Sequence, residues 1–145
     1  MEITENSVDN DIDEMSEYKI LVVDDSATIR ELLRKSFAGK GYAVDAAESA
    51  EKALELIEQT TYPVMFFDLN LPGMNGVELC KRVKKQYPLS VIFAMTGFAS
   101  LFALSVCRDA GFEDYFIKPV NLQLCHYATQ EAFKKIKRWS RSFSD

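Results

Sequence analysis

Five times between Tyr18 and the C-terminus, a short apolar run gives way to a longer stretch of helical periodicity. The runs are "KILVV" (19–23), "YAVDAA" (42–47), "VMFF" (64–67), "SVIFAMT" (90–96) and "DYFI" (114–117). Short, bounded runs of this kind read as strands of a parallel sheet. The stretches between them repeat apolar residues at intervals of three and four, as one face of an α-helix does. Ile29, Leu32, Leu33 and Phe37 mark the inward face of the first, behind a Ser26 N-cap and ahead of a stop at Gly39 or Gly41. Ala53, Leu54 and Ile57 mark the second, and Val77, Cys80 and Val83 the third. "ASLFALSVCRDAG" closes at Gly111, and "NLQLCHYATQEAFKKIKRW" forms the last. Strand–helix alternation makes parallel strands joined by right-handed crossovers, with helices on both faces of one sheet. The expectation is one doubly wound α/β domain over residues 18–145.

In such a sheet the ligand crevice lies at the carboxyl ends of the strands, where strand order reverses. Asp24 and Asp25 close the first strand, Asp68 the third, Thr96 the fourth, and Lys118 with Pro119 the fifth. All five side chains are expected at one edge. Three carboxylates gathered there repel one another, and a charge ending a core strand is costly unless a cation meets it. A hard divalent cation with oxygen ligands, Mg²⁺ above all, relieves that repulsion. Lys118 brings a second positive charge. Such a site suits an incoming phosphoryl group, with the central Asp68 as nucleophile forming an aspartyl phosphate. Singly, each residue has a plainer explanation. Asp24 and Asp25 cap a helix, Thr96 belongs to a strand, Tyr115 is a half-buried aromatic, and Lys118 sits in a solvated turn. Their convergence outweighs these.

"LVVDDSATIRELL", "MFFDLNLPGMNGVELC", "AMTGF" and "YFIKP" together resemble the receiver domain of two-component response regulators. The likeness runs from about Lys19 to the last helix, and its weight lies in four motifs arriving in order, each closing a strand. It implies a flavodoxin-like (βα)5 fold with strand order 2-1-3-4-5. It implies that Asp68 is the phosphoacceptor, that Asp25 binds Mg²⁺ directly, and that Asp24 does so chiefly through water. Asn70 would give its backbone carbonyl to the metal, and Mn²⁺ would be able to substitute. Thr96 and Tyr115 would form the switch pair, Lys118 would hold a phosphoryl oxygen, and a cis Pro119 would aim it inward. The implied partners are a histidine kinase or histidine phosphotransfer protein upstream and a separate effector protein downstream. The chain would be a monomer or a phosphorylation-dependent dimer. It would catalyse only its own phosphorylation and slow dephosphorylation, so it would be no enzyme in the ordinary sense.

The chain ends just past the fifth helix, so the expectation is a single-domain regulator without an output domain, read by another protein or relaying the phosphoryl group. Ala103, Cys107 and Ala110 suit the inward face of the fourth helix, which turns Leu101, Phe102 and Leu104 outward as a partner surface with Tyr115 and the last helix. A register shifted by one would instead make them core, and the sequence leaves both open. Phe98, bulky beside Thr96, is expected to hinder hydrolysis and prolong the phosphoryl state. His126 is expected to pack rather than to donate phosphate.

Charge is unevenly placed. Residues 1–17 hold seven acids and no base, and read as a solvated, mobile tail. The remaining 128 residues hold 17 bases and 15 acids, which argues against nucleic acid as a direct partner. The one basic patch, "KKIKRWSR" (134–141), ends a helix and complements its dipole. No apolar run is long enough to span a membrane, and three scattered cysteines suit a reducing cytoplasm.

Two other aspartate- or phosphate-centred readings fail. A phosphatase of the haloacid-dehalogenase kind needs one residue between its paired aspartates, and Asp24 and Asp25 are adjacent. A nucleotide fold needs glycines after the first strand, and "VVDDSATI" has none. The remaining alternative is a receiver-like interaction module that signals without phosphorylation.

Overall fold

The computed structural model describes residues 18–98 and 100–144, apart from the side chains of Leu101, Phe102 and residues 142–144. The expected acidic tail lies outside the described residues. The elements are β1 (Lys19–Val23), α1 (Ala27–Ala38), β2 (Ala43–Ala47), α2 (Ala50–Gln59), β3 (Val64–Asp68), α3 (Gly76–Gln86), β4 (Val91–Thr96), α4 (Leu101–Ala110), β5 (Asp114–Ile117) and α5 (Leu122–Ser144). All strands pair in parallel in the order β2-β1-β3-β4-β5. The chain reverses its direction of travel across the sheet between β1 and β3, so the crevice belongs at their ends.

Side-chain alternation splits the interior into two cores. Leu21, Val23, Met65, Phe67, Ile92 and Ala94 pack against α2, α3 and α4. Ile20, Val22, Val64, Phe66, Phe93 and Met95 pack against Leu33 and Phe37 of α1 and Cys125, Ala132 and Phe133 of α5. Both faces of β3 are therefore covered, which is why its sequence is apolar without alternation. β5 is an edge strand and mostly exposed.

The helix faces follow their periodicity with one correction. Leu32, expected inward on α1, is 47% exposed, because the buried stripe is held by Leu33 and Phe37 alone with Ile29 at its margin. Ser26 caps α1 as expected, accepting from the Ile29 N–H. On α4, Cys107 and Ala110 are buried while Ala103 and Leu104 are half-buried, and the Leu101 and Phe102 side chains lie outside the described residues. His126 packs edge-on against Phe37 and meets the Ser36 hydroxyl at 2.7 Å.

Candidate functional site

Register brings the strand ends level. Val23 pairs with Phe67, Asp68 with Met95, and Thr96 with Ile117. Asp24 is thus beside Asp68, and Lys118 follows one position past the partner of Thr96. The Lys118 N–H donates to the Thr96 carbonyl at 2.7 Å, tying β5's end to β4's. The Lys118–Pro119 peptide is cis.

The Lys118 ammonium lies between two buried carboxylates, 2.8 Å from Asp24 Oδ2 and 3.2 Å from Asp68 Oδ2. The opposite oxygens are held by backbone. Asp24 Oδ1 accepts the Ser26 N–H at 2.9 Å, and Asp68 Oδ1 accepts the Asn70 N–H at 3.0 Å. Asp25 is exposed at the rim, and a carboxylate oxygen from each of Asp24, Asp25 and Asp68 lies within 4.8 Å of the others. Burial pushes the Asp68 carboxyl above its ordinary range, the Asn70 N–H pulls it down, the Asp24 charge pushes it up, and Lys118 pulls it down again. For Lys118, burial works against the charge, and Asp24 and Asp68 override it and raise the ammonium's pKa.

One ammonium against three carboxylates leaves the cluster net negative. Asp24 Oδ2 is buried and, beyond its ion pair, has no aligned hydrogen bond. An all-oxygen donor set with that imbalance fits Mg²⁺, which keeps waters and takes one or two carboxylates. Asp24, Asp25 and Asp68 are the residues that would hold it.

Thr96 is buried beside the cluster, but its hydroxyl is turned into the following loop. It donates to the Phe98 carbonyl at 2.7 Å and accepts the Phe98 N–H at 3.1 Å. The Phe98 ring is 76% exposed, so it stands in solvent rather than over the site. Tyr115 is exposed on β5. It borders a groove of about 400 Å³ whose lining also includes Phe116, Leu124 and Tyr127.

Two supporting residues escaped the sequence reading. A Cβ on Gly76 would fall 2.2 Å from the Asp68 carbonyl oxygen, so α3 begins directly against the Asp68–Leu69 peptide. Arg30 reaches back from α1 to donate to the Asp24 carbonyl at 2.9 Å. Glycine at a predicted helix start was the available signal for the first. Nothing local marks the second.

A doubly wound domain with this acidic crevice and inward lysine defines a class, and comparison with known proteins gives the family. The profile described as "Response regulator receiver domain" matches residues 20–130, and the chain belongs to that family. It is 36% identical over 110 residues to the transcriptional regulatory protein ResD of Bacillus subtilis, covering 74% of this chain and 45% of that protein. It is 34% identical over 115 residues to a cyclic di-GMP phosphodiesterase of Thermotoga maritima, covering 79% of this chain and 31% of that protein. The chain thus spans less than half of these relatives. A CheY-like receiver domain from Methanospirillum hungatei superposes with a TM-score of 0.79 at 31% identity, over 83% of this chain and 96% of that one. A putative response regulator from Chloroflexus aurantiacus gives 0.76 at 32%, over 81% and 98%. Receiver domains are signalling modules that bind Mg²⁺ in an acidic pocket and work between kinases or phosphotransfer proteins and effectors. Among the described residues, no helix is long and apolar enough to cross a membrane.

Proposed function

We propose that this chain accepts a phosphoryl group on Asp68 from the phosphohistidine of a histidine kinase or phosphotransfer protein. The observation that carries this reading is the Lys118 ammonium 2.8 Å from Asp24 and 3.2 Å from Asp68 in a crevice open at Asp25. An Asp68 carboxylate oxygen attacks phosphorus, the P–N bond breaks, and the electron pair leaves with the imidazole, which then takes a proton. Lys118 moves from Asp68 Oδ2 to a phosphoryl oxygen as the carboxylate charge is consumed. Mg²⁺, held by Asp24, Asp25, Asp68 and the Asn70 carbonyl, would supply the remaining charge neutralisation. The Thr96 hydroxyl leaves Phe98 for the phosphoryl group, and Tyr115 follows, altering the surface formed by α4, β5 and α5. A separate cytoplasmic effector, or the next protein of a relay, reads that surface.

The test is intact mass after incubation with Mg²⁺ and a small phosphodonor. The expected result is one base-labile phosphate on the wild type and none on Asp68→Asn. A wild type that stays unmodified while still binding its effector would establish the phosphorylation-independent module instead.

A further inference from the structure

α5 is longer than the strands it packs against. Its 23 residues rise roughly 35 Å, whereas a five-residue strand covers roughly 16 Å. The first half is anchored by Cys125, Thr129, Ala132 and Phe133, all buried. Phe133 is level with the start of β1, its ring meeting Tyr18 edge-on at 5.1 Å. Beyond the half-buried Ile136, every described side chain is exposed: Lys137, Arg138, Trp139, Ser140 and Arg141. The helix therefore runs on past the amino-end edge of the sheet. Between this overhang and the core lies a mostly apolar groove of about 210 Å³, lined by Tyr18, Pro63, Phe133, Ile136, Lys137 and Ser140.

The overhang is basic. From residue 132 to 144 the sequence has five bases and no acid. Lys134 and Lys135 pair with Glu131 and Glu113, while Lys137 and Arg141 have no ion pair among the described residues. Half-exposed Trp139 adds apolar surface. This is where the chain enters the domain: Tyr18 lines the groove, and the 17 residues before it carry seven acids and no base. Within that segment Val8, Ile12 and Met15 recur at steps of four and three, with Asp9, Asp11, Asp13 and Glu14 among them. Apolar residues to fill a groove, acids to meet its basic rim, and a tether of no length recommend one occupant. An attached segment also binds at high effective concentration.

We infer that residues 1–17 form an intramolecular mask, laid along the basic overhang of α5 with their apolar side chains in the Tyr18–Phe133–Ile136 groove. The mask covers this basic surface and keeps polyanions from it. The inference is independent of phosphorylation at Asp68.

Trp139 is the sole tryptophan, so its fluorescence reports on this surface alone. In the full-length protein at low salt, acrylamide quenching of Trp139 is expected to be weak. It should rise roughly twofold in salt near 1 M, where the Debye length falls to about 3 Å. The same rise is expected at low salt when Asp9, Asp11, Asp13 and Glu14 are changed to Asn or Gln. Lys137→Glu with Arg141→Glu should likewise expose Trp139, and adding Asp11→Lys with Glu14→Lys should restore protection. A neutralised variant that quenches like the wild type overturns the mask. So does protection that grows with protein concentration, which would mean a second copy on this face. A wild type that binds a DNA oligonucleotide as tightly as the neutralised variant does also overturns it.

Discussion

Asp68 is ionised in a place that resists its charge. Burial and Asp24 hold its folded pKa above the unfolded value of about 3.9. A raised carboxyl pKa weakens the fold on ionisation. The penalty is absent at pH values below both pKa values, grows as pH rises through the unfolded one, and is complete above the folded one. Asp68→Asn should therefore raise the Tm of the metal-free protein at neutral pH by roughly 2–4 °C. The gain should vanish as pH falls towards the unfolded pKa, as thermal melts across that range would reveal. Lys118 has the opposite sign. Its folded pKa is raised above 10.5, so its contribution is full through neutral pH and is lost only as pH climbs through the folded value. Removing it strands buried Asp24, and Lys118→Met should cost about 2 kcal/mol at pH 7, less than for a fully buried pair because Lys118 is 20% exposed. Asp25 tests the metal without disturbing the core. Mg²⁺ at a hundred times its Kd should stabilise the wild type by about 2.7 kcal/mol, and Asp25→Asn should lose most of that gain in the same melts.

The β3–α3 connection shows how an element positions the chemistry. α3 starts so close to β3 that the Gly76 N–H donates to the Leu69 carbonyl at 3.1 Å, and there is no room for a side chain against the Asp68 carbonyl. Gly76→Ala forces backbone apart rather than a pliable side chain, so a loss of about 3 kcal/mol is expected by urea unfolding. Phosphate uptake should slow even where the variant remains folded, because Asp68 moves with its peptide. The contrast between this glycine and the strands defines what was readable in advance. β1, β3 and β4 are covered on both faces, so their apolar runs, and the charges ending them, stood out. That Asp24, Asp68 and Lys118 meet followed from parallel strands alone. Gly76 and Arg30 depend on contacts between elements, to which local periodicity is blind. The turn of the Thr96 hydroxyl into the following loop is set by loop geometry that periodicity does not carry either. Leu32 failed for a related reason: spacing identifies a helix face but not how wide a stripe its neighbours cover.

At the scale of the whole molecule, apolar exposure is concentrated on the side formed by β5 and α5. Ile117, Leu124 and Tyr127 are each more than half exposed, and Tyr115 is exposed beside them. The first three lie within nine residues of Lys118 along the chain, so a change at Lys118 would have a short covalent route to this side. Scattered apolar residues need no explanation, but Tyr115, Leu124 and Tyr127 border one groove of about 400 Å³, the kind of set a contact surface presents. Half-buried Leu104 belongs partly to the interior, while Leu101 and Phe102, the other α4 residues expected at the contact, have side chains outside the described residues. Tyr127 is the sharpest probe, being 64% exposed and remote from the carboxylates in the hydrogen-bonding network. Tyr127→Asp should leave the unfolding free energy within about 0.5 kcal/mol of the wild-type value, as surface changes usually do. It should take up phosphate at the wild-type rate while losing phosphorylation-dependent association, read as sedimentation of the phosphorylated protein alone and with its effector. Unchanged association would move the reading surface elsewhere and leave the chemistry at Asp68 untouched, because the two sites share a fold but no side chain.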